Sequence, residues 1–183
     1  MKLKNIGYAL LAFGFAVASG AYAADAAVCK GCHGVAESEA PNIAGMSAVY
    51  IAGSLKKFKE KKRPCDSGMC DMAAGLSDAD MEDLGKQFSA DKFVRAEQKF
   101  DVALAEKGKA IHEKNCEKCH SVGGSQASDD NGILNGQKTG YLRNQIDIFR
   151  AGNRPVNPRM EPKIKAISKD DIEAILNFYA SAK

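Results

Sequence analysis

Apolar residues recur at helical spacing in two stretches of the chain that match each other. Ile51, Leu55 and Phe58 follow the i, i+4, i+7 spacing of one helical face. The same pattern recurs 91 positions later, from 51 to 142, at Leu142, Ile146 and Phe149. The pattern therefore predicts one amphipathic helix in each half of the chain.

The same offset relates further identical residues in the two halves. The pairs are Gly45 and Gly136, Tyr50 and Tyr141, Arg63 and Arg154, Ser77 and Ser168, and Asp80 and Asp171. Repetition at one offset indicates two similar structural units.

Each half also ends in a predicted helix. Ser77 and Ser168 each stand three residues before an aspartate, which is typical of a helix start. The apolar positions that follow are Met81, Leu84 and Phe88 in the first half and Ile172, Ile175 and Tyr179 in the second. A further helix is predicted over 100–115, where Gly108 can allow another helix to approach and His112 is expected at the surface. No alternating strand pattern competes, so the predicted class is all-α.

Two copies of a C-x-x-C-H motif supply the candidate chemistry. They comprise Cys29, Cys32 and His33, and Cys116, Cys119 and His120. This motif is the signature of covalent c-type haem attachment, in which two thiols bond to the haem and the histidine binds the iron. The copies are 87 positions apart, from 29 to 116, so four extra residues fall between the second motif and its repeated block, most simply in the polar stretch 121–132. We expect two haem c groups.

The repeat also selects candidates for the second axial ligand of each iron. After His120 the chain contains a single methionine, Met160, and no histidine. The position 91 residues earlier is Met69, although Met72 is nearby and core packing is the ordinary role of a methionine. A thioether opposite an imidazole is the ligation that raises the potential of c-type electron carriers. Met46 and Met81 are expected to be packing residues.

The N-terminus predicts export. Lys2 and Lys4 precede an uncharged stretch, and Ala21-Tyr22-Ala23 fits the small-x-small cleavage rule, so residues 1–23 read as a signal peptide. The alternative is an uncleaved membrane anchor. Cleavage predicts a periplasmic protein without a membrane segment, in the compartment outside the bacterial cytoplasm where haem is attached covalently.

The remaining chain divides into two predicted domains, 24–90 and 100–183, with a polar linker at 91–99. Units this small bury little apolar surface, so a covalently held porphyrin would form much of each core. In the first unit only Ala24 to Val28 would precede Cys29, so its last helix needs cover from the second unit or from a partner protein.

The net charge is close to zero after signal cleavage, and the one local charge feature is a run of basic residues. The formal net charge of +3 becomes +1 without Lys2 and Lys4, because 24 basic residues then face 23 acidic ones, and nucleic-acid binding is unsupported. A basic run spans 56–63, interrupted by Glu60. This basic run is either a solvated helix end or a docking surface for an acidic partner.

A pair of cysteines and a pair of arginines each allow more than one role. Cys65 and Cys70 have no counterpart in the second half, and in an oxidising compartment they predict a disulfide around Met69. A free thiol pair, a metal ion or thiolate ligation of iron are the alternatives. Arg63 and Arg154 precede both methionine loops and are candidates to contact haem propionates, or else solvated cations.

Several segments carry a family resemblance. They are the runs 99–105 and 178–181, Asn153-Arg154-Pro155 before Met160, and 43–46. With the two motifs, they make the chain resemble the cytochrome c4 type of dihaem cytochrome, built from two tandem class-I cytochrome c domains. Within that group it is similar to the cytochrome subunits of flavocytochrome c sulfide dehydrogenases.

The resemblance implies two haems c, each with histidine and methionine as axial ligands. It implies electron transfer from a separate FAD-containing subunit that oxidises sulfide, and onward to a small soluble acceptor such as a monohaem cytochrome c. It also implies that Pro41 offers its carbonyl to His33 Nδ1, whereas the matching position in the second half is Gly132. The chain itself has no flavin-binding G-x-G-x-x-G run between a strand and a helix.

Two other functions share these residues. A free cytochrome c4-type carrier to a terminal oxidase would use the same ligands. A catalytic dihaem enzyme, such as a peroxidase or thiosulfate dehydrogenase, would keep one iron open or use an unusual ligand.

Overall fold

The computed structural model describes residues 24–182, so the predicted signal peptide lies outside the described residues. The described chain is helical and contains no strand. The helices are α1 (Ala26–His33), α2 (Ala48–Lys59), α3 (Met69–Ala74), α4 (Asp78–Ala90), α5 (Val102–Asn115), α6 (Ser121–Gly124), α7 (Thr139–Arg150), α8 (Glu161–Ala166) and α9 (Lys169–Ala180). Within 24–182 no helix combines the length and apolarity that crossing a bilayer requires.

The helices follow the sequence repeat. The bounds of α2, shifted by 91 residues, coincide with those of α7, and α3 and α4 correspond in the same way to α8 and α9 within one residue. The predicted starts of the last helices are also present. Ser77 and Asp80 form a reciprocal capping box on α4, and the Ser168 hydroxyl accepts a hydrogen bond from the Asp171 N–H at the start of α9.

A glycine turn packs against the last helix of each unit. Gly45 and Gly136 both adopt positive φ, 71° and 83°, which strains any residue with a β-carbon. Their N–H groups donate to the carbonyl oxygens of Phe88 and Tyr179, each at 2.8 Å. Because these acceptors are also 91 residues apart, the repeat extends to hydrogen bonds that fix the turn onto the helix.

The two units differ in which helix covers the last one. In the first unit α4 packs closely on α2, and a β-carbon at Gly85 would lie 2.5 Å from the Ala48 carbonyl oxygen. In the second unit α9 packs chiefly on α5, with Gly108 at the point of closest approach. The predicted role of Gly108 is therefore present in the structure.

The second unit also completes the core of the first. Ile133 is buried in the cluster that contains Met46, Ile51 and Phe88. Part of the cover that the first unit needs therefore comes from the loop before α7. Residues 92–100 have no regular secondary structure and contact both units, since Val94 O accepts from Asn42 Nδ2 and Ala96 N donates to Gly136 O.

The sequence interpretation of His112 was wrong. Its side chain is fully buried rather than exposed, with Nδ1 2.8 Å from the Tyr179 hydroxyl oxygen and Nε2 2.9 Å from Glu117 Oε2. The ring lies between α5 and α9, and hydrogen bonds satisfy both of its nitrogens. Its buried partner, Tyr179, lies 67 residues away on α9, so the periodicity of α5 alone does not reveal that His112 is buried.

Candidate functional site

The first C-x-x-C-H motif forms the end of α1. Asp25 caps this helix by accepting a hydrogen bond from Ala27 N at 2.8 Å. Cys29 is half-buried, Cys32 is exposed, and both thiols are free. Burial raises the pKa of the Cys29 thiol.

The histidine of this motif has one ring nitrogen engaged and one available. His33 Nδ1 lies 2.8 Å from the carbonyl oxygen of Pro41, so a neutral ring donates from Nδ1 and keeps a lone pair on Nε2. Burial lowers the pKa of His33, and the Pro41 hydrogen bond opposes that shift. The ring is thus prepared as a neutral, oriented metal ligand.

The second motif follows α5 as a turn. Cys116 is half-buried and Cys119 exposed, again as free thiols, and burial raises the pKa of Cys116. Inside the motif the Glu117 carboxylate accepts hydrogen bonds from the N–H groups of Val122 at 2.7 Å and Gly123 at 3.0 Å. These bonds tie the backbone that follows His120 to a side chain of the motif.

His120 lacks the support that His33 has. Its Nδ1 is buried without a hydrogen-bond partner among residues 24–182, and Gly132, at the position that matches Pro41, does not supply one. Burial, together with nearby His112, lowers the pKa of His120 to about 4. The imidazole is therefore neutral at physiological pH, which is the form that binds a metal.

Met69 begins α3 and is half-buried, whereas Met72 is 54% exposed on the same helix. Cys65 and Cys70 are joined by a disulfide with Cα atoms 5.1 Å apart, so the ring that they close contains Met69. Cys70 packs with Phe58 and Ala73. The disulfide therefore closes the Met69 loop, and the packing of Cys70 on Phe58 holds this loop against α2.

Met160 occupies the matching place in the second unit. It is half-buried and directly precedes α8, whose first turn contains Pro162. The other two methionines that the sequence assigns to packing, Met46 and Met81, are 4% and 2% exposed and lie in the helical interior.

Arg63 and Arg154 meet where the two units join. Each guanidinium stacks on the phenylalanine five residues before it, 4.1 Å above Phe58 and 4.5 Å above Phe149. Both donate to the side-chain oxygen of Gln145. Burial, and then the charge of Arg154, lower the pKa of Arg63.

This arginine pair is suited to an anionic group. Arg63 is 8% exposed and its Nε is buried without a partner, and neither arginine forms an ion pair with a carboxylate in the described part of the chain. An anion nearby would stabilise a buried guanidinium with an orphaned donor beside a second, half-buried guanidinium. Haem propionates have that chemistry, and the paired thiols and neutral imidazoles fit the rest of a haem c group.

Sequence reasoning missed three polar residues at the junction between the units, Gln137, Lys138 and Gln145. Gln137 and Lys138 are buried and bind backbone groups of the first unit, and Gln145 bridges the arginines. Each departs from the repeat, since the positions 91 residues earlier are Met46, Ser47 and Ser54. That departure was the available signal.

Comparisons with known proteins agree with the haem chemistry. Residues 103–178 match the family model described as cytochrome C oxidase, cbb3-type, subunit III. The chain is 32% identical to a cytochrome c4 of Stutzerimonas stutzeri over 177 residues, covering 83% of each protein. It is 28% identical to a thiosulfate dehydrogenase electron acceptor of S. stutzeri strain A1501, covering 85% of this chain and 79% of that protein.

A solved structure gives the same result. The cytochrome c4 of Acidithiobacillus ferrooxidans superposes with a TM-score of 0.74 at 28% identity, covering 85% of this chain and 99% of that one. The all-α fold is therefore that of two tandem class-I cytochrome c domains, each with a covalently attached haem c. The chain belongs to the cytochrome c4 family of dihaem c-type electron-transfer proteins.

Proposed function

We propose that the protein relays single electrons between two partners through two six-coordinate haem sites, with His33 and Met69 as axial ligands in the first unit and His120 and Met160 in the second. Cys29 and Cys32, and Cys116 and Cys119, are the covalent attachment points. Haem c supplies a one-electron redox centre when bound. The observation that carries this proposal is the repeat itself, because one register relates the arginines, methionines and terminal helices of both units.

The remaining side chains hold and shield the sites. Arg63 and Arg154 are proposed to bind propionates at the junction, where burial strengthens charge pairing. The Pro41 carbonyl orients His33, and the disulfide between Cys65 and Cys70 keeps the Met69 loop closed. The proposed domain bounds are 24–90 and 100–183, with the segment 91–99 as the linker.

Methionine substitution tests the ligand assignment. Methionine-ligated ferric haem has a near-infrared absorption band, so Met69→Ala and Met160→Ala are each expected to lose about half of it. Met72→Ala is the matched control and should retain the full band, since Met72 is exposed. A full band in Met69→Ala, or half a band in Met72→Ala, would overturn the assignment in the first unit.

For the electron donor we propose an FAD-containing subunit that oxidises sulfide, with a small soluble carrier such as a monohaem cytochrome c as acceptor. The resemblance of segments 99–105 and 178–181 to flavocytochrome c cytochrome subunits supports this pairing. The basic run at 56–63 offers a surface for an acidic partner, since Lys57 and Lys61 are exposed and form no ion pair in the described chain. Such a complex belongs in the periplasm, as the predicted signal peptide at 1–23 requires.

Purification from the native host tests the donor. A stoichiometric flavoprotein should co-elute with the cytochrome, and adding sulfide to that fraction should reduce both haems. A flavin-free cytochrome that sulfide and the host flavoproteins leave oxidised would overturn the proposal.

A second candidate is a free carrier to a terminal oxidase, and the relatives named cytochrome c4 favour it. The relative named as a thiosulfate dehydrogenase electron acceptor extends this candidate to a carrier that accepts electrons from that enzyme. Elution without a flavoprotein, with reduction by thiosulfate dehydrogenase and oxidation by host membranes, would support it.

A further inference from the structure

Two adjacent residues of the second unit hold a loop of the first. The Gln137 side chain is fully buried and makes a pair of hydrogen bonds with one residue of that loop. Its Oε1 accepts from Asn42 N at 2.9 Å, and its Nε2 donates to Asn42 O at 2.8 Å. A buried amide with both ends engaged fixes the backbone that it contacts.

Lys138 holds the same loop at a second place. Its ammonium group donates to Val35 O at 2.7 Å and to Ser38 O at 2.6 Å, while the residue is 8% exposed. Burial lowers the pKa of Lys138, and the nearby carboxylates Glu37 and Glu39 oppose that shift. Burying an ammonium group is costly, so these carbonyl contacts must hold the loop closely to offset desolvation.

The loop between these contacts supports the axial histidine. Val35, Ser38 and Asn42 flank Pro41, whose carbonyl oxygen lies 2.8 Å from His33 Nδ1. A hydrogen bond at Nδ1 orients an axial imidazole and makes it a stronger donor to iron. Contacts from the second unit therefore reach the first iron through one backbone carbonyl.

The contact in the opposite direction does not reach the axial histidine. The positions 91 residues before Gln137 and Lys138 are Met46 and Ser47, and the Ser47 hydroxyl, which also caps α2, donates to Asp129 in the matching loop of the second unit. His120 Nδ1 has no hydrogen-bond partner in the described chain. The coupling therefore runs from the second unit to the ligand of the first.

We propose that Gln137 and Lys138 are positioning residues that fix the Pro41 carbonyl against His33, so that the redox potential of the first haem depends on docking of the second unit. The proposal rests on the proposed role of His33 as an iron ligand. It does not depend on the identity of the electron donor.

Gln137→Met in the full dihaem protein tests it, because the shape is similar and both hydrogen bonds to Asn42 are lost. A looser Pro41 carbonyl makes the imidazole a weaker donor, which destabilises ferric iron and raises the potential of the first haem. We expect the ratio of reduced to oxidised first haem at a fixed solution potential to rise about threefold or more, with the second haem unchanged. Haem-methyl proton resonances report the two haems separately.

Gln98→Met is the matched control. Gln98 donates to Gln137 O at 2.9 Å and accepts from Thr139 N at 2.7 Å, so it binds the same segment, and it forms no hydrogen bond with residues 35–42 in the described chain. This variant should not change the redox potential of either haem. An equal shift in Gln98→Met, a shift of both haems in Gln137→Met, or no shift at all would overturn the proposal.

Hydrogen exchange at His33 gives a second readout. In the reduced protein the Nδ1 proton of His33 should exchange faster in Gln137→Met and Lys138→Met than in the wild type, and no faster in Gln98→Met. If the Nδ1 proton exchanges at the wild-type rate in both Gln137→Met and Lys138→Met, the proposal is contradicted, even if one of these variants loads haem poorly. Loss of the near-infrared band from wild-type protein would instead overturn the ligand assignment under Proposed function, so the two failures are distinguishable.

Discussion

Gly108 on α5 lies directly against the backbone of Ala174 on α9, so that a β-carbon at position 108 would overlap the Ala174 carbonyl oxygen. Ala174 is itself fully buried. The obstacle is backbone rather than a flexible side chain, so the helices must separate to admit any other residue. The contact of α5 with α9 therefore depends on glycine at this position.

Gly108→Ala should destabilise the second unit by about 3 kcal/mol, since overpacking outweighs the higher helix propensity of alanine. Gly140→Ala, at an exposed position on α7, is the matched control, because nothing lies within 4 Å of its β-carbon position. The control should be neutral or slightly stabilising. Chemical denaturation followed by far-ultraviolet circular dichroism measures both, and equal stabilities would contradict the packing.

Replacement of the buried histidine should also be costly. His112→Leu leaves the Tyr179 hydroxyl without its partner and removes a hydrogen bond to Glu117, so we expect a loss of about 2 kcal/mol in the free energy of unfolding. Glu113→Ala, one residue further along α5, loses an exposed 3.9 Å contact with Lys109 and should change stability by less than about 0.5 kcal/mol. A smaller loss in His112→Leu than in Glu113→Ala would contradict the burial of His112.

The double substitution Cys65→Ser with Cys70→Ser should loosen the Met69 loop. Opening so short a ring costs about 2 kcal/mol in the chain-entropy description. On heating, the near-infrared band of the first haem should disappear at a lower temperature, while that of the second haem is unchanged. An unchanged transition temperature for that band in the double variant would contradict this role of the disulfide.

Glu117 should make the second unit sensitive to acid. Hydrogen bonds from Gly123 N and Val122 N, in part offset by desolvation, hold its pKa below the ordinary value of 4.5. Because the folded-state pKa is depressed, the stabilisation is fully present above pH 4.5 and is lost as pH falls through the folded-state value. Wild-type protein should therefore be more stable than Glu117→Gln at neutral pH, with the difference shrinking below pH 4.5.

The control for that titration is Glu106→Gln, which removes the same charge from an exposed position on α5. Its stability should follow the wild type across the whole range. Unfolding free energies at a series of pH values provide the comparison, and a constant difference between wild type and Glu117→Gln would contradict the role of the carboxylate.

Local patterns were enough to predict the five longest helices of the described chain and the two haem-attachment motifs. Helical spacing at Ile51, Leu55 and Phe58, and the matching register 91 residues later, predicted α2 and α7, because a helix exposes its periodicity in sequence. The cysteine motifs predicted two haem c groups, which the family confirms. The axial methionines and propionate arginines remain predictions from the same register.

Tertiary structure decided the contacts between residues that are distant in sequence. His112 is buried by Tyr179, 67 positions away, and Gln137 binds Asn42 across 95 positions. Composition and periodicity describe one segment at a time, so they cannot assign such partners. The sequence determined which residues repeat and which chemistry they carry. Folding determined which of the polar groups outside the repeat became buried, above all Gln137 and Lys138. Burial depends on surfaces that are brought together from distant parts of the chain.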